Sequence, residues 1–411
     1  MPPVTPRDPR RLPAEVKRLQ QNLEQRPEGR GFPVKARWNE AETEVDYLYR
    51  NHQLVCDEAD LEDVLHAFDG IPAERPAVSD GPVGLKILDI GDRDAADLAD
   101  TLADALGDGV VTPNHVLDAQ GHSSMCPATE PLPWVAPVHD FPEPVGSGRA
   151  QVSVVDTGYF ADIRKQSGYA RFSAVDGASQ ADDEVFSTGT AIRPYGGHGT
   201  AAAATLLSVS GASNVGVHLR DCLVGGGVDE ITIVEDLEAV IQAGVDIISI
   251  QAGTYTRAGR TPKAFDAFFR KVLRHHHKKV VLIAAAGNDG SDRPFWPAAY
   301  GWCAAVGALT HGGDARTGWT NYGHWVDVYA SGENIVVPFP NGKYTYLDTS
   351  SADFTQGHAL WSGTSFATPA VAGMIARRMI ERNVDAPTAR DIVLADAARS
   401  SLPNTGPRVL V

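Results

Sequence analysis

Four short glycine-marked segments of the chain hold side chains that could carry out acyl transfer together. They are Asp156-Thr-Gly158, Gly196-Gly-His198-Gly-Thr200, Gly287-Asn288-Asp289-Gly290 and Ser362-Gly-Thr-Ser365-Phe-Ala-Thr-Pro369. A serine hydroxyl is a weak nucleophile until a base removes its proton. A neutral imidazole can take that proton and later return it to a leaving amine, while a carboxylate fixes the imidazole tautomer and stabilises the imidazolium. An amide side chain can donate to the oxyanion that forms on the attacked carbonyl. Ser365 precedes a run that reads as a helix over 366–382, which would put its hydroxyl at the positive end of the helix dipole. Pro369 suits a first helical turn, whose amides have no helical partner. Singly, each segment is an ordinary turn or cap; together they supply acid, base, oxyanion donor and nucleophile.

Positioning these groups requires strands and helices that end beside them. Residues 150–155 and 280–286 are continuous apolar runs, the pattern of strands buried on both faces of a parallel sheet; 246–250 and 303–306 are similar. Helical patterns fall between them at 200–208, 232–243, 263–277 and 366–382. The alternation predicts a doubly wound α/β domain over 146–411, with a mainly parallel sheet and ligands at the carboxyl ends of its strands. Asp156 and Asn288 stand just past two of those ends.

The first third of the chain has a different grammar. Residues 1–140 carry 13 Lys and Arg against 26 Asp and Glu, the remainder 23 against 26, so most of the net charge of −16 belongs to the N-terminal unit. Such acidity argues against a nucleic-acid partner. Residues 1–37, rich in Pro, Arg and Gln, read as a mobile arm with a short helix near 14–25. Strands at 45–56, 85–90 and 110–117 alternate with helices at 58–68 and 94–106, predicting a small α+β sandwich over 38–125 with two helices on one face of an antiparallel sheet. A Pro-rich linker is expected over 126–145.

On these motifs the chain resembles the subtilisin-like serine proteases, or subtilases. The family's three signatures occur in its order, Asp then His then Ser, and Thr320-Asn-Tyr-Gly323 and Ala330-Ser-Gly332 match its Ser-Asn-Tyr-Gly and Ala-Pro-Gly patterns. The related sedolisins, with Glu for His198 and Asp for Asn288, fit worse. The resemblance covers about 151–394. It implies Asp156 as orienting acid, His198 as general base, Ser365 as nucleophile, and Asn288 as oxyanion donor alongside the Ser365 N–H.

The family's substrate-binding edge, Asn-Met-Ser-Leu-Gly, reads Ser249-Ile-Gln-Ala-Gly253 here. Ser249, Ile250, Gln251, Ala252 and Gly253, with Gly287, are therefore expected to bind substrate through main-chain pairing. Gln251, in place of Ser, is expected to narrow or re-line the primary specificity pocket. The N-terminal unit resembles the subtilase propeptide, which implies a domain that templates the slow-folding parallel sheet and covers the cleft, with a processing junction at 118–129. The implied function is a serine endopeptidase acting on polypeptides through an acyl-enzyme, restrained by its own N-terminal domain as inhibitor. The alternative is a catalytically silent peptide-binding module on the same fold.

Other features carry less chemistry. No apolar run approaches the ~20 residues that cross a bilayer, so no membrane association is expected. The start of the chain shows no signal peptide, which suggests a cytoplasmic location, or secretion if a leader has been removed. Cys56, Cys126, Cys222 and Cys303 are scattered and read as reduced thiols, with a Cys126–Cys222 or Cys56–Cys126 bridge as the alternative. His275-His-His277 reads as a solvated helix end, because consecutive helical residues point about 100° apart. Gly225-Gly-Gly227 reads as a loop. No cofactor is required and no metal ligands are identified; structural calcium, frequent in subtilases, has no Asp-x-Asp-x-Asp loop here.

Overall fold

The computed structural model describes residues 12–24, 31–71, 74–119, 128–135, 148–165, 175, 179–182, 184–185, 191–211, 214–223, 225–276, 279–402 and 405–409. The N-terminal unit runs α1 (Leu12–Glu24), β1 (Val34–Trp38), β2 (Val45–Asp57), α2 (Leu61–Asp69), β3 (Ala77–Asp80), β4 (Leu85–Asp89), α3 (Ala95–Leu106) and β5 (Val111–Asp118). Its strands pair antiparallel in the order β5-β2-β4-β3, with β1 also on β2. Strand alternation divides the apolar side chains between two faces. Tyr47, Tyr49, Leu54 and Cys56 face Val64, Phe68, Leu98 and Leu102 of α2 and α3. On the other side, Leu48 and Val116 meet Leu12, Val16, Leu19 and Leu23 of α1.

Two expectations change here. Residues 12–24 and 34–38 are packed parts of the sandwich, not a mobile arm, because α1 has an apolar stripe that the second face of the sheet buries. The linker is also structured in part: β6 (Leu132–Pro133) pairs with a later strand.

The larger unit continues with β7 (Ala150–Asp156), β8 (Ala191–Ile192), α4 (His198–Ser210), β9 (Val215–Asp221), β10 (Gly227–Asp229), α5 (Glu230–Gln242), β11 (Ile247–Ile250), α6 (Lys263–Lys271), β12 (Val281–Ala285), β13 (Cys303–Leu309), β14 (Val328–Ser331), β15 (Ile335–Pro338), β16 (Gly342–Thr345), β17 (Ser351–Phe354), β18 (His358–Trp361), α7 (Thr364–Arg382) and α8 (Ala386–Arg399). Its central sheet has the order β14-β13-β12-β11-β7-β9, every pair parallel. The chain steps from β7 outward to β9, then crosses back to place β11 on the other side of β7. That reversal makes a crevice at the carboxyl ends of β7 and β11, where open α/β sheets bind ligands. The buried helix α7 packs Ala367, Val371 and Ile375 against Val154, Ile283 and Val306 of the sheet.

Helix α6 ends at Lys271, short of the expected 277; His275 lies in a following 3₁₀ turn and His277 is outside the described residues. Gly225 and Gly226 form a turn, but Gly227 opens β10 rather than continuing a loop. Among the described residues no helix is long and apolar enough to cross a membrane.

Candidate active site

Asp156 is the last residue of β7 and is fully buried. Its Oδ1 accepts from the N–H of Thr157 at 2.7 Å. His198 opens α4, and its Nδ1 lies 2.7 Å from Oδ1 and 2.9 Å from Oδ2 of Asp156. With the carboxylate accepting, Nδ1 carries the proton and Nε2 is left as the basic nitrogen. The Gly-His-Gly pattern has a local cause. Gly197 caps the helix with φ 81°, and a Cβ on Gly199 would meet the carbonyl of Gly158 at 2.5 Å. These glycines let the start of α4 approach the loop after β7 closely enough for His198 to reach Asp156. The imidazole is boxed by Trp361, edge-on at 5.2 Å, and Phe366, tilted at 5.4 Å. Its Nε2 is buried without a partner.

A second carboxylate, unremarked in the sequence, supports this pair. Asp182 Oδ2 accepts from Gly197 N–H at 2.7 Å and from the Thr157 hydroxyl at 3.2 Å; Thr157 Oγ1 in turn accepts from Gly199 N–H at 3.1 Å. Burial pushes the Asp182 carboxyl well above the ordinary range. No motif marks Asp182. It arrives from the segment alongside Tyr159, to whose carbonyl it donates its own N–H at 3.2 Å.

Ser365 is the second residue of α7 and is fully buried. The helix starts two residues earlier than expected, so Pro369 falls in its second turn and leaves the Ser365 carbonyl without its i+4 donor. The Ser365 N–H belongs to the first turn, where amides lack helical acceptors. Asn288 follows β12. Its Oδ1 accepts from Thr364 N–H at 2.9 Å and from the Thr364 hydroxyl at 3.0 Å. That fixes the amide orientation and leaves Nδ2, buried and without a partner, as the outward donor.

The expected substrate residues divide. Ser249 and Ile250 lie inside β11, paired to β7 and β12 on both sides, so their main-chain groups have no capacity left for substrate. This corrects the expectation for those two positions; the free edge begins beyond Ile250. Gln251 turns inward and donates from Nε2 to Ser249 Oγ at 2.6 Å. Ala252 is buried, and Gly253 exchanges two hydrogen bonds with Asp118, each 2.9 Å. Gly287 donates to Thr364 Oγ1 at 3.3 Å beside Asn288.

The segment paired with Gly253 is the end of β5. β10 flanks it on the other side, with Gly227, Val228 and Asp229 opposite Asp118, Leu117 and Val116. Ala119 N–H donates to Gly226 at 3.0 Å, and its carbonyl accepts from the Ser365 hydroxyl at 3.1 Å. Further along, the Thr129 carbonyl accepts from Trp361 Nε1 at 2.8 Å, and its hydroxyl oxygen accepts from Ser362 N–H at 3.1 Å. Residues 120–127, which include Cys126, are outside the described residues. Cys56, Cys222 and Cys303 are free and buried, and burial raises all three thiols, Cys56 to about 11.

The acidic N-terminal unit meets a basic face of the larger one. Asp57 pairs with Lys263 and Arg270 at 3.2 and 2.9 Å, Asp46 with Arg293 at 2.7 Å, Asp100 with Arg257 at 2.5 Å, and Asp108 with Arg260 at 2.7 Å and with Arg257. Between these charges lies a buried pair: Glu230 Oε1 accepts from the N–H and from Nδ1 of His115, at 3.1 and 2.9 Å. His115 Nε2 accepts from Arg257 N–H at 3.2 Å.

The family model described as "Subtilase family" matches residues 148–405. Among curated proteins, the "Thermophilic serine proteinase" of Bacillus sp. (strain AK1) is 41% identical over 91 residues, 22% of this chain and 19% of its own length. The "Intracellular serine protease" of Paenibacillus polymyxa is 29% identical over 59% of this chain and 69% of its own length. The chain thus spans about a fifth of the first of these relatives and about two thirds of the second. Among solved structures, fervidolysin from Fervidobacterium pennivorans, described as a keratinolytic enzyme related to subtilisin, aligns with a TM-score of 0.60 at 16% identity, over 92% of this chain and 61% of that one. This likeness concerns the fold.

Proposed function

The chain belongs to the subtilase family of serine proteases, and on that footing we propose that it hydrolyses peptide bonds through Asp156, His198, Ser365 and Asn288, restrained by its own N-terminal domain. The observation that carries the reading is a pair of unsatisfied buried groups, His198 Nε2 and Asn288 Nδ2, in the crevice that holds Ser365. Buried polar atoms without partners are costly, and one explanation is a task that satisfies them transiently.

In this mechanism the Ser365 oxygen bonds to the substrate carbonyl carbon as its proton passes to His198 Nε2. Asn288 Nδ2 and the Ser365 N–H donate to the resulting oxyanion. Collapse breaks the C–N bond, and the proton on His198 goes to the leaving amine. Water, deprotonated by His198, then hydrolyses the ester, and Ser365 recovers its proton. Asp156 holds the imidazole throughout and stabilises its charged form. The chemistry calls for no cofactor.

Restraint would follow from occupancy of the cleft. The end of β5 takes the two main-chain edges, Gly253 and β10, that an extended substrate would use. Ala119 contacts Ser365 and Thr129 contacts Ser362, which supports processing between Ala119 and Thr129. A cytoplasmic site of action is supported by relatives named as intracellular proteases. The test is labelling with a serine-directed phosphonate: the full-length protein should acquire the adduct on Ser365, and Ser365→Ala should acquire none. A folded wild type that never reacts, even after removal of residues 1–130, would favour a silent peptide-binding module instead.

A further inference from the structure

We propose that Phe295 closes the slot that receives the side chain preceding the cut, so that this chain cleaves after small residues: glycine, alanine or serine. The proposal rests on the peptidase reading above and specifies its substrate.

The antiparallel register that sets Asp118 opposite Gly253 continues by placing the next two residues of a bound strand opposite Ala252 and Gln251. A carbonyl presented to Ser365 and to Asn288 Nδ2 therefore comes from a residue between two walls. One wall is the segment 251–253 and the other is Gly287 with Asn288. The side chain of that residue has the gap between these walls as its way in. Both walls carry glycine at the gap, which would leave a deep slot if nothing else entered it.

Phe295 enters it. A methyl group added to Gly253 would collide with the edge of the Phe295 ring, and one added to Gly287 would stand 3.0 Å from the same ring. A single aromatic side chain therefore touches both walls, and it is 1% exposed. Its position is held from behind. Tyr255 packs edge-on against it at 5.1 Å, and the Tyr255 hydroxyl is fixed by Asn321 at 3.0 Å and by Asp289 at 2.9 Å. The adjoining residues Thr254 and Trp296 exchange both main-chain hydrogen bonds, at 2.8 and 2.9 Å. Swinging the ring aside would break this bracing. Gln251, expected from the sequence to re-line the pocket, instead points back toward Ser249; Phe295 does the narrowing.

Pocket shape of this kind discriminates by about 10–200-fold for each methylene that fits or fails to fit. The test compares two peptidyl diphenyl phosphonates, identical except for alanine or phenylalanine at the position next to the phosphorus. The rate of adduct formation on Ser365 is followed by mass spectrometry in the full-length protein and in its Phe295→Gly and Phe295→Leu variants. Wild type should react at least tenfold faster with the alanine probe. Phe295→Gly should reverse the order, and Phe295→Leu, which keeps an apolar filling, should fall between. A wild type that takes the phenylalanine probe as readily, or a preference unchanged in both variants, overturns the assignment of Phe295 while leaving the peptidase reading standing. Failure of both probes to label any of the three folded proteins, even after limited proteolysis has removed the N-terminal domain, overturns the peptidase reading, and this proposal with it.

Discussion

The hydroxyl of Ser365 donates to the carbonyl of Ala119 at 3.1 Å, so the proposed nucleophile of the larger domain holds the end of the segment that leads into it from the smaller one. His198 Nε2 meanwhile has no partner. A productive encounter requires that the hydroxyl change its acceptor from the Ala119 carbonyl to His198 and that the attacked carbonyl reach Asn288 Nδ2, which also has no partner. Wild-type protein should therefore cut itself between Ala119 and Thr129, and Ser365→Ala should stay at full length. Intact-mass measurement over a time course decides this. Identical cleavage in the alanine variant would assign the cut to a contaminant.

Removing the proposed oxyanion donor should affect turnover more than binding. In Asn288→Ala, the hydrogen bonds that orient the loop through Thr364 are lost together with Nδ2. Asn288→Asp keeps the acceptor for Thr364 but replaces the donor with a carboxylate oxygen, whose charge also opposes the oxyanion. Both should lower kcat by about 10²–10³, a magnitude known from subtilisin, with KM changing little. A loss in Asn288→Ala that Asn288→Asp does not share would make the role of this residue structural.

The fold of the larger domain and its catalytic candidates were legible because each rests on a local pattern. Buried parallel strands give unbroken apolar runs, and tight turns around Asp156, His198 and Asn288 require glycine. The remainder depends on which segments meet. Helix α1 looked like an arm because an apolar stripe of four residues does not reveal what it will pack against. Ser249 and Ile250 looked accessible because a sequence cannot show that β7 and β12 lie on both sides of β11. Asp182 and Phe295 reach the site from loops without a motif, and only proximity in space gives them a function.

Asp182 is expected to act through Thr157 and Gly197 on the geometry of the Asp156–His198 pair. An amide at this position offers one acceptor oxygen where the carboxyl offers two, so Asp182→Asn cannot serve both Oδ2 donors and the N–H of Glu184 bound to Oδ1 at 2.9 Å. Displacement of the imidazole by a fraction of an ångström should reduce kcat by about tenfold or more, with KM near wild type. Steady-state kinetics on one small-residue substrate measures both. Equal losses in kcat and folded fraction would indicate a stability effect alone.

Docking of the N-terminal domain should weaken with salt and with acid, and the direction of the pH effect follows from one group. Hydrogen bonds from Arg257 and then Arg260 hold the Asp108 carboxyl below its ordinary value. Those partners lie across the interface, so release of the domain returns Asp108 to the usual carboxylate range near ~3.9. A group whose pKa is lower in the docked state favours docking above its free-state pKa, and that contribution disappears as pH falls through the depressed value. Acidification below about pH 4 should accordingly loosen the domain, and neutral pH should hold it. Because Asp108 is largely exposed, the effect is screened, and raising salt to ~1 M should mimic it at neutral pH. Phosphonate labelling of Ser365 in full-length protein, under conditions too brief for self-cleavage, measures how often the cleft opens. Labelling should accelerate with salt in wild type and start from a higher rate in Asp108→Asn, with a shallower dependence on salt. A rate independent of salt in both proteins would show that the buried contacts of His115 with Glu230 and Arg257, rather than the surface charges, hold the domain in place.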